Sequence, residues 1–126
     1  MKDTLPDEER YWTFMRDRVR DFARRYGFRS IETPILEQSN LYLRSSGLGS
    51  DIVTKEMYAF SDPGGEKVAL RPEGTPGVAR AYIEHGMLNQ SQPVKVYYFG
   101  PMFRHDRPQA GRFRQHVQFG FEVIGA

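Results

Sequence analysis

Arg104, Arg107, Arg112 and Arg114 lie on or beside one basic turn, within residues 99–122: Phe-Gly-Pro-Met-Phe-Arg-His-Asp-Arg-Pro-Gln-Ala-Gly-Arg-Phe-Arg-Gln-His-Val-Gln-Phe-Gly-Phe-Glu. Two strand-like runs flank a hairpin that contains Gly and Pro, so the turn gathers several guanidinium groups. A guanidinium fork grips phosphate or carboxylate through two parallel hydrogen bonds, and a tight turn that fixes its position suits anion holding better than a merely solvated basic face. On the returning run Gln118 and Glu122 stand four residues apart. In a strand of period two, both side chains point to the same face. A third group, Leu70-Arg71-Pro72-Glu73-Gly74-Thr75, places a carboxylate and a hydroxyl at a predicted strand-to-helix junction. Such a junction presents polar groups to a ligand from rigid scaffold, the plain alternative being capping and turn formation.

The elements that must hold these groups follow from periodicity. Pro6 and Asp7 open a helix in which Trp12, Met15, Val19, Phe22 and Tyr26 recur every three or four residues, which predicts one buried face. Arg10, Arg16, Arg18, Arg20, Arg24 and Arg25 line the rest, with Asp17 and Asp21 at helix-neighbour spacing. That is the pattern of a solvated face with ion pairs; contact with an RNA backbone is the alternative. Gly27 ends the helix, and residues 28–32 and 35–37 are expected to be extended on either side of Thr33-Pro34. Ser39 is expected to cap a short helix to about Ser46, with Gly47 and Gly49 in the loop beyond. Residues 57–61 and 67–71 alternate like hairpin strands around Asp62-Pro63-Gly64-Gly65. Thr75 is expected to cap a helix carrying Val78, Ala81, Tyr82 and Ile83 up to Gly86. Residues 94–99, their extension 102–105 beyond Pro101, and the return over 113–124 complete a helix laid on a mostly antiparallel sheet, an α+β fold. The neighbours Phe119, Phe121 and Val123 predict that the returning strand is largely buried, so that Glu122 would require a partner.

Composition sets the bounds. With 126 residues the chain fits one domain, and folding alone would bury roughly two thirds of its unfolded surface. Eighteen Lys and Arg against sixteen Asp and Glu leave a net charge of +2, too small to announce a nucleic-acid binder by itself. The absence of cysteine excludes a disulfide framework and a thiolate nucleophile and suits a reducing cytosol, and three scattered histidines argue against a metal site. No 18-residue apolar run and no signal-peptide pattern occur, so the expectation is a soluble cytoplasmic protein with no membrane partner.

Taken in order, the Thr33-Pro34 segment, the run 70–75 and the hairpin Phe-Arg-His-Asp-Arg-Pro-Gln-Ala-Gly-Arg-Phe-Arg-Gln at 103–115 resemble histidyl-tRNA synthetases, a class II aminoacyl-tRNA synthetase family. The Pro34 region is similar to motif 1, which builds the dimer interface in that class, and residues 99–122 are similar to motif 2. The resemblance implies an incomplete class II catalytic core. Residues 1–126 would be its N-terminal portion, the Arg-Tyr-Asp-Gly-type segment, motif 3 and the anticodon-binding domain not being found in the chain. It further implies activation of histidine by ATP with Mg2+, transfer to tRNA(His), and a homodimer formed around Pro34. By the same resemblance Arg104 would bridge the α-phosphate and the histidine carboxylate. Arg112 would reach the ATP phosphates, Asp106 would help fix adenine, and His116 would stack on it. Glu73 and Thr75 would bind the ammonium group, Gln118 the amino acid, and Glu122 an imidazole nitrogen. Two positions depart from the family pattern: His116 stands where Phe is frequent, and Val117 where His is frequent. His105 fits the motif and is assigned a structural or loop-ordering part. A non-catalytic paralogue, the histidine-sensing regulatory subunit of ATP phosphoribosyltransferase, is the alternative implied by the same fold; retention of Arg104, Asp106 and Arg112 beside Glu73 and Gln118 argues against it.

Overall fold

A computed structural model describes residues 2–46, 55–105 and 114–125. Helix α1 runs Pro6–Arg25, followed by strands β1 (Arg29–Ser30) and β2 (Leu36–Gln38), helix α2 (Ser39–Ser46), strands β3 (Ala59–Ser61) and β4 (Lys67–Leu70), helix α3 (Thr75–Glu84), a 3-10 turn (Met87–Asn89), and strands β5 (Val94–Phe103) and β6 (Gln115–Ile124). Two three-stranded sheets result. In one, β2 and β3 flank β4, both antiparallel to it. In the other, β5 is central: β6 lies antiparallel to it from Val94 opposite Ile124 to Phe103 opposite Gln115, and the short β1 lies parallel to it. The expected α+β architecture with a mostly antiparallel sheet is the observed one.

Local sequence accounts for the ends of α1. Pro6 occupies its first turn, where a missing N–H costs nothing, Asp7, Glu8 and Glu9 face the positive end of the helix dipole, and Arg24 and Arg25 the negative end. Gly27, at φ 76°, then turns the chain out of the helix in the left-handed region that glycine enters without a side-chain clash.

Strand alternation gives the β5–β6 ribbon two faces. Even-numbered residues face α3: Val94 and Val96 pack with Val78 in the core, supported by Ile31, Tyr82, Met87, Tyr98 and Ile124. Each buried valine contributes about 1.5–3 kcal/mol relative to exposure. Odd-numbered residues face α1, where the Phe121 ring lies 5.0 Å from Phe22 and 5.1 Å from Phe28, and the Arg16 guanidinium sits 5.4 Å over Phe99.

Several expectations are corrected here. The apolar stripe of α1 is not buried as a face: Val19 and Ala23 are covered, whereas Met15, Phe22 and Tyr26 are 41%, 48% and 51% exposed. Periodicity tells which side of a helix is apolar but not what lies against it. The odd face of β6 is likewise open, with Phe119 and Val123 exposed, and Ile83 on α3 points to solvent. Pro101 does not interrupt β5, which continues through it. The Phe103 N–H, on the same side of the strand as the proline nitrogen, donates away from β6 to the Arg71 carbonyl, while the Arg104 N–H donates to Arg114 across the ribbon. Proline therefore stands where the ladder to β6 asks for no donor.

Candidate active site

Three side chains from β6 and the end of β5 converge on the run Pro72–Thr75. Arg104 donates from Nε to the Pro72 carbonyl at 3.0 Å. Gln118 accepts the Gly74 N–H at 3.1 Å through Oε1, which satisfies one of the open donors at the start of α3. Glu122 accepts the Thr75 hydroxyl at 2.6 Å. Gln118 and Glu122 do share a face, as their spacing requires, and it is the face turned toward α3.

The expected cap is different. Gly74, not Thr75, occupies the N-cap position, and Thr75 is the first residue of α3. Its hydroxyl is committed to Glu122, a charge-assisted bond that outcompetes capping of its own helix. Ser39 behaves similarly: it begins α2 with its hydroxyl directed 3.4 Å to the Lys67 carbonyl.

Tyr98, which sequence reasoning did not select, organises this face. Its ring fills the space over two glycines: a Cβ at Gly74 would lie 2.3 Å from Tyr98 Cε2, and one at Gly120 would lie 2.4 Å from its hydroxyl. Burial raises the Tyr98 pKa; a hydrogen bond with Thr75 opposes that rise, and the Glu122 and Glu73 charges add to it. The phenol therefore remains neutral beside two carboxylates. Arg71 was also missed. It is 7% exposed and spans three segments, donating from Nε to the Pro101 carbonyl at 2.8 Å and from one Nη to the Thr33 carbonyl at 2.8 Å. Burial lowers its pKa, with Tyr42 and Glu32 opposing. The signal in the sequence was the isolated glycines at 100 and 120 inside strand patterns, which mark close approach by another group.

Glu73 is half-buried, and its charge reaches both Tyr42 and Tyr98. His116 is partly buried on the α3 side of β6, opposite Met102. The His105 ring packs edge-on against Tyr58 at 5.6 Å and its main-chain N–H donates to the Glu56 carbonyl, contacts that suit the structural part assigned to it. Asp106 and Arg112 lie outside the described residues, as does Arg107. Among the described residues no group of three or more His, Cys, Asp or Glu side chains is placed to hold a metal ion.

A second polar cluster joins α3 to β2. Arg80 on α3 pairs with Glu37 and Glu84, both at 2.8 Å. Burial acts against the Arg80 charge, but the hydrogen bonds it donates to Glu84 and Glu37 outweigh that and raise the pKa. Tyr42, 1% exposed, has its pKa pushed up by burial and by Glu37. An open groove of about 560 Å³ runs past this cluster and is bordered by Pro34, Leu36, Asn40 and Arg44.

The chain is similar along its whole length to proteins of one family. The family model described as histidyl-tRNA synthetase matches residues 1–126. A histidine–tRNA ligase of Dehalococcoides mccartyi is 55% identical over 124 residues, covering 98% of this chain and 30% of the relative. Among solved structures, apo histidyl-tRNA synthetase of S. aureus superimposes with a TM-score of 0.82 at 39% identity, over 100% of this chain and 28% of that one. A protein described as ATP phosphoribosyltransferase regulatory subunit/histidyl-tRNA synthetase, from Bacillus halodurans, gives a TM-score of 0.81 at 25% identity, over 100% of this chain and 31% of that one. The chain thus spans about 30% of the length of the curated relatives it matches.

Proposed function

Because the chain belongs to the histidyl-tRNA synthetase family, we propose that it supplies the motif 1 and motif 2 part of a catalytic domain that activates histidine with ATP and transfers it to tRNA(His). The observation that carries this reading is the convergence of Arg104, Gln118 and Glu122 on Pro72–Thr75. Motif 3 and an anticodon-binding domain would belong to the rest of such an enzyme.

In the first step a histidine carboxylate oxygen attacks the α-phosphorus of ATP and pyrophosphate leaves. In the second, a ribose hydroxyl at the tRNA 3′ end attacks the acyl carbon and AMP leaves. Positioning two anions and neutralising the charge that builds at phosphorus is most of the work. Arg104 suits it: Nε is anchored to Pro72, so the terminal nitrogens can bridge carboxylate and α-phosphate. Thr75 gives its one proton to Glu122 and also bonds Tyr98, so the remaining lone pair of its oxygen is what it offers a substrate ammonium group, with Glu73 supplying the charge. Glu122 uses one acceptor position for Thr75 and retains others for an imidazole N–H. Gln118, already tied to the start of α3, completes the amino-acid side. On the nucleotide side Arg112 would hold phosphates, Asp106 would help fix adenine, and His116 would stack on it through a flat imidazole. Mg2+ would supply further charge neutralisation, arriving on the ATP phosphates, the usual mode for this ion.

Exposed Pro34 on the rim of the open groove supports contact with a second copy there. No helix among the described residues is long and apolar enough to cross a membrane, and an enzyme acting on tRNA would work in the cytoplasm. The regulatory-subunit reading is weaker, since relatives named as ligases reach 55% identity.

The test is ATP–pyrophosphate exchange by a full-length enzyme carrying this segment, for instance the D. mccartyi ligase with its matching segment exchanged for this chain, assayed with each of the twenty amino acids. Exchange with histidine alone is expected. Exchange with another amino acid, or none with histidine, would contradict the assignment.

A further inference from the structure

The geometry points to Arg71 as the positioning residue that sets the distance between the Arg104 arm and the Glu73–Thr75 arm of the site; this inference rests on the proposed function. Arg71 does not reach the predicted substrate groups itself. Its guanidinium is buried, and the hydrogen bonds described for it all go to uncharged oxygens: Pro101 carbonyl at 2.8 Å, Thr33 carbonyl at 2.8 Å and Thr33 hydroxyl at 3.4 Å. A charged group buried on neutral acceptors is costly to bury and is held by geometry, because each acceptor must be in place to offset lost hydration. The strand is shaped to admit it: a Cβ at Gly100 would lie 2.7 Å from Arg71 Nη2.

The main chain beside Arg71 carries the consequence to Arg104. The Arg71 N–H donates to the Ile35 carbonyl at 2.9 Å, and its carbonyl accepts the Phe103 N–H at 2.9 Å. One residue on, the Pro72 carbonyl accepts Arg104 Nε. Residues 71–72 are thereby stitched to residues 103–104, and the guanidinium clamps the same run to Pro101 from the other side. Glu73 and Thr75 follow within the same run, so the clamp fixes the gap between the group that would hold the histidine ammonium and the group that would hold its carboxylate. A misplacement of about 1 Å between reacting groups costs about 100-fold in rate. Lysine keeps the charge but cannot reach Pro101 and Thr33 with a rigid fork.

The test uses the full-length enzyme carrying this segment, with Arg71→Met, Arg71→Lys and Gly100→Ala, and Val94→Ala as a core control of reduced stability. Active sites are counted from the burst of adenylate, and exchange of the 103–104 amides is followed by mass spectrometry. Arg71→Met is expected to lower kcat per active site about 100-fold, with histidine and ATP KM changing less than the kcat and the 103–104 amides exchanging faster. Arg71→Lys is expected to lie between, and Val94→Ala to retain full kcat per site. Unchanged kcat per active site in Arg71→Met, with loss only of folded protein, would overturn the inference. Should Arg71→Met fail to fold, Gly100→Ala decides on the same readout, because its added methyl displaces the guanidinium without removing it. Absence of histidine-dependent exchange in the unsubstituted enzyme would instead defeat the functional reading; the clamp is then judged on the 103–104 amides alone, and unchanged protection there would overturn it.

Discussion

The two faces of the β5–β6 ribbon are built by alternate residues of the same two strands and have opposite characters. The even face is notched by Gly100 and Gly120, carries Arg104, Gln118 and Glu122, and is overlaid by α3 and the run 71–75. The odd face carries Tyr97, Phe99, Phe119 and Phe121, meets α1 through ring contacts, and leaves Phe119 and Val123 exposed at 45% and 60%. Polar side chains therefore gather where glycine lowers the sheet, Arg71 reaching in over Gly100 from another segment and Tyr98 covering Gly120 from the neighbouring strand, and the aromatic side is where the sheet presents bulk to a helix. Alternation alone assigns residues to faces; the glycines decide which face admits side chains close to the sheet.

Substitutions on each side separate them. Arg104→Ala, on the even face of a full-length enzyme, is expected to lower adenylate formation by about 2.7–4 kcal/mol of lost electrostatic stabilisation, read by pyrophosphate exchange; an unchanged rate would remove the functional claim for that face. Gly120→Ala should destabilise by about 1–3 kcal/mol in urea unfolding, because its methyl would overlap Tyr98, and should cost less in a Tyr98→Ala background. Equal costs in both backgrounds would deny that Tyr98 fills the notch. Tyr42 and Tyr98 have folded pKa values raised above the ordinary 10.0, so their contribution is complete below pH 10.0 and is lost as pH rises toward the folded values. The largest fall, about 1.4 kcal/mol per pH unit, is expected from the buried Tyr42 between pH 10.0 and its raised folded value. Tyr42→Phe should flatten this slope in alkaline unfolding curves. The smallest effect is expected on the odd face of the 126-residue chain: Val123→Ser should change stability by less than about 0.5 kcal/mol while reducing self-association seen by sedimentation.

Where local chemistry determines structure, the sequence was legible. The turn at Asp62–Gly65, the bounds of the helix Ser39–Ser46, the end of α1 at Gly27 and the shared face of Gln118 and Glu122 all follow from turn residues and period, although Ser39 bonds the Lys67 carbonyl instead of capping its helix. Thr75 was misread because a hydroxyl beside a helix start has two uses, and the choice of Glu122 over the backbone is made by a strand 47 residues away. Arg71 and Tyr98 were not seen because their parts depend on glycines that lie far off in sequence and close in space. The stripe on α1 was read correctly as apolar and wrongly as buried, since periodicity contains no information about the opposing surface. Of the predicted site residues, Arg104, Gln118 and Glu122 converge on the run that holds Glu73 and Thr75, His116 lies on the same face of β6, and Asp106 and Arg112 lie outside the described residues.

The most direct test is calorimetric titration of histidine, without ATP, into the full-length enzyme carrying this segment, into Glu122→Gln and into Val123→Ser. Neighbouring residues on one strand then report on opposite faces. Loss of the carboxylate should weaken histidine binding by about tenfold or more, the range for a hydrogen bond to a charged group, with Val123→Ser leaving it within about twofold. Equal affinity in Glu122→Gln and the unsubstituted enzyme would contradict the placement of the histidine site on the even face.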